Sequence, residues 1–465
     1  MMGLTAGALA QLAQGRVVGA DRALGAAVID SREVWSGSTF FCLRGPRFDA
    51  HDFARAAIDA GASTLVVREA SLAQLSPDVR DGAATLVVVD DPEKALVAAA
   101  CEARRRFQGT VIGVTGSCGK TTTKDQLAAV LSTLGPTIAT RGNQNNQLGV
   151  PLTLLRLEPA TRFAVVEMGM NTPGEIALLA RWARPSLGVV TTVGAAHLEG
   201  VGSLEEIARE KGSLLAALPA DGVGFMPEAI ALPWIVTRGM VARLETTGRG
   251  VGRGLRLFEA RETETGCAGR VELGGARFDV TLRMPGTHNL DNALLALAVG
   301  DALGVDMGVA VNALGAMPAA TLRGEVRTLA SGHRVLLDCY NANPQSMRAA
   351  IESFKARAPH GLMVLGDMLE LGPGALEEHA AIGRALGDFG GVVVGVGPLS
   401  KALVDAARAA GFSGERARWA PDADAAQPVV GALVAEHPWT LLKASRGMGL
   451  ERVWAGLSGE GRGVH

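Results

Sequence analysis

The stretch Thr115-Gly116-Ser117-Cys118-Gly119-Lys120-Thr121-Thr122 restricts the fold of this chain more than any other segment, because of what flanks it. Thr110 to Val114 before it is a β-branched run that reads as a buried strand, and Lys120 to Leu134 after it carries a helical pattern. A strand, a Gly-rich turn and a helix in that order point to α/β architecture. The N–H groups of such a loop converge inward and the helix start adds partial positive charge, so together they cradle a polyphosphate. Lys120 is placed to reach the β- and γ-phosphates, and the Thr121 hydroxyl to ligate Mg²⁺. The spacing is a variant, since G-x-x-x-x-G-K-[ST] would need glycine where Val114 stands. A Gly-rich turn that binds nothing is the plainer reading of the same residues. Cys118 reads either as a thiol activated by the helix terminus or as a small inert side chain.

A length of 465 residues exceeds one core, and at roughly 100–200 residues per domain it predicts about three. We expect boundaries near residues 107 and 320. Residues 1–107 read as a small α/β module, with apolar runs at Ser38 to Cys42 and Ser63 to Val67 around a helical stretch from Phe53 to Ala60. In 108–320, buried-looking strands Phe163 to Glu167 and Gly188 to Val193 alternate with helices, which suggests a parallel sheet. Leu255 to Met284 alternates apolar and polar residues around Gly274-Gly275, an antiparallel insertion, before an Ala/Leu-rich helix from Asn289 to Leu303. In 321–465, strands at Val335 to Leu337, Leu362 to Leu365, Val392 to Val396 and Thr440 to Leu442 recur between helices, the pattern of a doubly wound, Rossmann-like domain.

A formal net charge of -2 leaves no basic excess to neutralise a phosphate backbone, so small molecules rather than nucleic acid are the expected partners. Five cysteines, without any C-x-x-C, indicate neither a disulfide framework nor a zinc site, and a reducing cytoplasm is the simplest home. Met1 to Ala10 has no cationic leader, and no apolar run approaches the ~18 residues needed to span a bilayer. Neither export nor a membrane anchor is expected.

With the loop in place, the chain resembles the Mur ligases of bacterial cell-wall synthesis, motif by motif over nearly its whole length. The similar segments are the loop itself, Glu167 in Val-Val-Glu-Met-Gly, His197 in Gly-Ala-Ala-His-Leu-Glu, Lys211 in Ala-Arg-Glu-Lys-Gly, His288-Asn289-Leu-Asp-Asn292 and Arg323 in Leu-Arg-Gly. Asp30-Ser-Arg-Glu-Val34 and Leu43 to Phe53 resemble the domain that holds a UDP-sugar in that family. Arg141 to Leu155 and Asp338 to Ser346 most resemble the members that join D-alanyl-D-alanine to UDP-N-acetylmuramoyl-tripeptide. The Asp-Asn-Pro-Arg motif of the tripeptide-forming members is absent from the sequence.

The resemblance implies an ADP-forming amide ligase. ATP converts the substrate carboxylate into an acyl phosphate, because a carboxylate cannot expel oxide when an amine attacks it in water. Positive charge and hard oxygen ligands must then converge on the γ-phosphate. Glu167 and His197 are expected to hold Mg²⁺ with Thr121, and Lys211, as a carbamate, to serve a second ion. The plainer readings are a capping carboxylate, a backbone-bonded histidine and a surface lysine paired with Glu206 or Glu210. Asn289 and Asn292 share a helix face and would read adenine or ribose, unless Asn289 caps the helix. Arg323 would bring a planar cation to phosphate and Asp338 would accept from ribose hydroxyls, or either would join an interdomain salt bridge.

Asn341, Asn343 and Ser346 resemble the border of the acceptor dipeptide site, against a simple Asn/Pro turn. Asn143, Ser31, Arg32, Arg47, Phe48 and His51 are carried over as contacts to the UDP-sugar substrate. A folylpolyglutamate-synthase-like ligase, which lacks the first domain, and an ATP-binding switch, which would not need Glu167, His197 and Lys211, are the competing readings. The expected protein is a cytoplasmic monomer.

Overall fold

The computed structural model describes residues 1–194, 203–230, 242–252, 254–318 and 321–459. Three sheets follow one another along the chain. The first holds β1 (Arg16–Val18), β2 (Ala27–Val28), β3 (Thr39–Phe41), β4 (Thr64–Arg68) and β5 (Thr85–Val89), in the order β1-β5-β4-β3-β2. Only β1 runs antiparallel to its neighbour. Helix Pro92–Arg106 then leads out. Asp91 caps it by accepting from the Glu93 and Lys94 N–H groups, and Pro92 stands in its first turn, where an N–H has no partner to lose. Its alanine and leucine face shares one core with Leu4, with Val87 of the first sheet and with Val111 and Val150 beyond it. The first two sheets therefore share a continuous core.

The central sheet contains β6 (Thr110–Thr115), β7 (Thr137–Ala139), β8 (Phe163–Glu167), β9 (Leu187–Val190), β10 (Val223–Pro227), β11 (Arg243–Arg249), β12 (Arg256–Glu262), β13 (Cys267–Leu273) and β14 (Ala276–Leu282). Its order is β14-β13-β12-β11-β10-β9-β6-β8-β7. Strands β6 and β8 to β10 are covered on both faces, and their near-continuous apolar residues suit parallel pairing. The expected antiparallel insertion is β12 to β14, although β12 joins the sheet through a short parallel contact with β11. Leu273 pairs with Ala276 across Gly274-Gly275, whose φ values of 56° and 86° only glycine adopts without strain.

The third sheet holds β15 (Glu325–Thr328), β16 (Arg334–Asp338), β17 (Leu362–Gly366), β18 (Val392–Val396), β19 (Ala417–Ala420) and β20 (Trp439–Lys443), ordered β15-β16-β20-β17-β18-β19. Strand β15 is an antiparallel edge and the others are parallel, with separate apolar cores on the two faces, as a doubly wound domain requires. Strand β20 lies between β16 and β17, so the winding reverses there and leaves a crevice beyond the carboxyl ends of the strands.

The strand expected from Gly188 to Val193 stops at Val190. Past it the Thr191 N–H still donates to the Thr115 carbonyl, while the Thr192 carbonyl accepts from the Ser117 N–H and both threonine hydroxyls bond Cys118 in the loop after β6. Strands β1, β2, β5, β7, β11, β15 and β19 have no counterpart in the sequence reading. All but β5 and β11 have two to four residues, too few for alternation to register.

Candidate active site

The loop after β6 is shaped from behind. Gly119 starts helix Lys120–Ser132 at φ +81°, and a Cβ there would overlap Asn292 Oδ1. A Cβ at Gly116 would overlap Thr191 Oγ1. The Thr192 hydroxyl accepts from the Cys118 N–H at 2.8 Å and donates to the Cys118 carbonyl at 3.1 Å, and the Thr191 hydroxyl donates to the same carbonyl. Ser117 Oγ donates to the Gly194 carbonyl at 2.9 Å. Thr115 is fully buried, and its hydroxyl donates to the Met168 carbonyl at 2.9 Å. Thr115 and Gly116, expected among the nucleotide contacts, therefore support the loop and do not border the cleft it faces, whereas Ser117 to Thr122 do.

Thr191 and Thr192 were invisible to the sequence reading, which continued the strand through them. Replacing Thr192 with valine is expected to cost about 1–3 kcal/mol, because the Cys118 N–H loses its acceptor inside the fold. Denaturant unfolding would check this, with Thr192→Ser retaining most of the stability. Equal stability of Thr192→Val and the native chain would disprove the bracing role.

The cleft has a volume of about 1030 Å³ and lies between the central and third sheets. Lys120 Nζ donates to the Gly116 carbonyl at 2.8 Å, curled within the loop. Glu167, at the end of β8, is 1% exposed. Asn145 Nδ2 donates to its Oε1 at 2.7 Å, while its Oε2 is buried without a hydrogen-bond partner among the described residues. An orphaned carboxylate oxygen in the same cleft wall as the Thr121 hydroxyl is donor chemistry that fits a hard divalent cation. Among the described residues no group of three His, Cys, Asp or Glu is placed to hold a metal ion together.

Lys211, on helix Leu204–Ala216, does not border the cleft but is buried behind it, 1% exposed. Burial first, and then the nearby charge of Lys120, pull its ammonium down to about 7. The plain reading as a surface lysine is therefore wrong. Its proposed partners are engaged elsewhere: the Glu210 carboxylate accepts from the Gly174 and Ile176 N–H groups at 2.8 Å each, and Glu206 bonds Ser203. His197 lies outside the described residues.

The opposite wall belongs to the third sheet. Arg323 stacks on Tyr340, the only tyrosine in the chain, with Cζ 3.8 Å from the ring centroid. Asp338 Oδ2 accepts from Lys443 Nζ at 2.7 Å, and Lys443 also reaches the Asn341 carbonyl at 3.3 Å. This ion pair joins the ends of β16 and β20 within one sheet, so Asp338 forms no interdomain bridge with it. Tyr340, Lys443 and Asn145 all border the cleft and were missed, since nothing local marks them.

Other expected contacts prove to have structural partners as well. Asn343 caps helix Pro344–Arg357 in a reciprocal box with Ser346, and Asn341 Oδ1 accepts from the Ala342 N–H, although all three border the cleft. Asn289 is not a helix cap: Thr287 holds that position, and Asn289 Nδ2 donates to the Pro285 carbonyl at 2.7 Å. Asn292 donates to Asn289 Oδ1 at 3.3 Å, and both line the cleft.

Ser31, Arg32, Arg47, Phe48 and His51 do not reach this cleft. Arg32 pairs with Asp30 at 2.6 Å, and Phe48 is 71% exposed. Both ring nitrogens of His51 are engaged by the fold: Nδ1 lies 2.6 Å from Asp49 Oδ1, and Nε2 accepts from the Arg68 N–H at 2.9 Å. Asn143 borders the main cleft and also a second one of about 1070 Å³ between the first and central sheets, where Glu33 and Trp35 stand. Asn143 is thus common to the linings of both clefts.

Three α/β domains around a phosphate loop, with an orphaned carboxylate and a buried lysine beside it, define a nucleotide-using enzyme, and this chain belongs to the Mur ligase family. Residues 26–104 match the family's model described as Mur ligase family, catalytic domain; 114–300 match the Mur ligase middle domain; and 322–446 match the Mur ligase, glutamate ligase domain. The chain is 35% identical to the UDP-N-acetylmuramoyl-tripeptide--D-alanyl-D-alanine ligase of Escherichia coli, over 87% of this chain and 88% of that one. It is 34% identical to the ligase of the same name from Bacillus subtilis, over 91% of both. In structure it is similar to MurF from Acinetobacter baumannii, with TM-score 0.86, 30% identity and coverage of 99% and 100%. It is also similar to MurF from Thermotoga maritima in complex with ADP, with TM-score 0.78, 27% identity and coverage of 94% and 97%.

Proposed function

We propose that this enzyme joins D-alanyl-D-alanine to UDP-N-acetylmuramoyl-tripeptide, consuming ATP and releasing ADP and phosphate, in the synthesis of peptidoglycan precursors. The observation that carries the reading is the meeting, across one cleft, of a braced phosphate loop, the orphaned Glu167 oxygen and the Arg323 and Asn341 face of the third sheet. The names of the relatives support the substrates. We assign the UDP-sugar to residues 1–107, ATP to 108–320 and the incoming dipeptide to 321–465.

The loop N–H groups and Lys120 hold the β- and γ-phosphates while the tripeptide carboxylate approaches from the side of Asn143. A carboxylate oxygen bonds to the γ-phosphorus, and the bond from that phosphorus to the bridging oxygen breaks, leaving ADP. The dipeptide amine, held by the face from Asn341 to Ser346, then bonds to the acyl carbon. The tetrahedral intermediate loses phosphate and the amine loses a proton, which gives the amide.

Arg323, oriented by Tyr340, faces the nucleotide phosphates, and Asp338, Asn289 and Asn292 face its nucleoside end. Glu167 Oε2 and Thr121, with His197, would hold Mg²⁺, and the Lys211 carbamate would serve a second ion. The ion would supply neutralisation of charge between polyphosphate and carboxylate. Lys211 suits carbamate formation because a group titrating near 7 offers a neutral amine to CO₂ at cellular pH.

We place the enzyme in the cytoplasm as a monomer. Among the described residues no helix is long and apolar enough to cross a membrane. The deciding experiment follows ADP release with UDP-muramoyl-tripeptide, with and without D-alanyl-D-alanine. Turnover that needs both substrates is expected, whereas ATP hydrolysis indifferent to the dipeptide would mark a switch and end the ligase reading.

A further inference from the structure

Helix Pro344–Arg357 belongs to the third domain, yet both of its ends touch the central one. At its start the Asn343 carboxamide meets Cys118 Sγ in the phosphate loop, with Nδ2 at 3.0 Å and Oδ1 at 3.2 Å. At its end Arg357 crosses to the turn after β12. Its Nη2 donates to Glu262 Oε2 at 2.9 Å and to the Gly266 carbonyl at 3.0 Å, and its Nη1 donates to the Glu264 carbonyl at 2.6 Å. Ser353, one turn earlier, donates to Glu262 Oε1 at 2.9 Å. The two charged side chains are 4% and 12% exposed, and the guanidinium also lies 5.1 Å from the centroid of the Trp439 ring. Its Nε is buried without a partner among the described residues, but a planar fork held through both terminal nitrogens on three acceptors fixes direction as well as distance, which a flexible ammonium cannot.

Glu262 has a second task. Its carboxylate accepts from the Gly286 N–H at 3.2 Å and the Thr287 N–H at 3.0 Å, where helix His288–Ala302 begins. Thr287 makes no side-chain cap there, so Glu262 satisfies those donors from another strand. The same helix carries Asn292 against Gly119 of the loop. One carboxylate therefore ties the helix that backs the loop to the far end of the helix that borders the acceptor face.

We propose that the Arg357–Glu262 pair positions the third domain, using helix Pro344–Arg357 as a strut that sets the face from Asn341 to Ser346 over the phosphate loop so that the acyl phosphate meets the amine before it meets water. The chemistry of this inference rests on the ligase reading above. With the strut slack, a water oxygen bonds to the acyl carbon, the bond from that carbon to the phosphate oxygen breaks, and free acid and phosphate form. ATP is then consumed without an amide.

The test measures ADP and amide together in Arg357→Met. The ratio of ADP to amide, near one in the native enzyme, is expected to rise as amide kcat falls about 10- to 100-fold, the size of effect that a misplacement of about 1 Å produces. Affinity for ADP should stay within about threefold, because the loop itself is untouched. Arg357→Lys should recover part of the coupling, since it keeps the ion pair and loses the fork. Native coupling in Arg357→Met, or loss of ADP affinity in parallel with amide kcat, overturns the proposal. If that variant does not fold, Glu262→Gln, which removes the charge from the pair and keeps one carbonyl oxygen as an acceptor, takes the same measurements. If the native enzyme makes no amide from these substrates, the ligase reading fails separately. The strut is then judged by X-ray scattering of the ADP complexes, where a larger radius of gyration for Arg357→Met supports it and an unchanged radius overturns it.

Discussion

Alanine at Lys120 is expected to lower acyl-phosphate formation by roughly 10³-fold or more while the protein stays folded and still binds the UDP-sugar substrate. The loop shape does not depend on this side chain. Its backbone is held by the hydroxyls of Thr191, Thr192 and Ser117, and Lys120 contributes only a bond from Nζ to the Gly116 carbonyl. That carbonyl is a weak partner for an ammonium, and a γ-phosphate is a far stronger one, so the cation is free to transfer when nucleotide enters. The transition state, with charge spread over the transferring oxygens, loses its closest cation in the variant. Single-turnover ADP formation and calorimetric titration with UDP-muramoyl-tripeptide check the two halves. Loss of sugar-nucleotide binding together with chemistry would contradict the assigned division between domains.

Methionine at Lys211 should abolish ligation and yet stabilise the protein in CO₂-free buffer. The folded-state ammonium titrates at about 7 against 10.5 for the free side chain, because burial disfavours its charge. Between those values the unfolded chain binds a proton that the folded one does not, so native stability rises with pH across this window. Below about pH 7 the penalty for burying Lys211 is present in full, on the order of several kcal/mol, and it fades towards pH 10.5. The advantage of Lys211→Met over the native chain should therefore be largest at pH 7 and below and should shrink as pH rises. Added bicarbonate should raise the native melting temperature and leave the variant's unchanged. In Lys211→Ala, a short carboxylate such as acetate should restore part of the activity by standing in for the carbamate. A melting-temperature difference that does not vary with pH, together with no response to bicarbonate, would remove both the buried neutral amine and its modification.

Much of the site was legible in the sequence because its chemistry is contiguous. Gly119-Lys120-Thr121 is a strand-turn-helix junction, and the backbone geometry of such a junction is local, so reading the residues amounts to reading the phosphate cradle. Glu167 was legible for a related reason: it ends a buried apolar run, and in a parallel sheet that end faces the ligand edge. The bracing residues were not. Thr191 and Thr192 continue a β-branched pattern, and only their contacts with Cys118, more than 70 positions away, make them part of the loop. Asn145, Tyr340 and Lys443 are ordinary residues in sequence, made specific by Glu167, Arg323 and Asp338.

His51 and Lys211 show what burial adds to a sequence. Both ring nitrogens of His51 are held, by Asp49 and the Arg68 backbone. The plainer alternative for Lys211, a surface lysine paired with its flanking glutamates, does not survive, because the helix turns Lys211 inward and sends Glu210 to cap a neighbour.

The sequence by itself determined the α/β class and the position of the Gly-rich loop with its lysine between β6 and the helix that follows, since these depend on residues within one turn of each other. Only the tertiary structure decided which side chains remain free to act and how the third domain is registered against the loop. Both depend on pairing between groups far apart in the chain, where burial leaves one oxygen of Glu167 without a partner and supplies Arg357 with three.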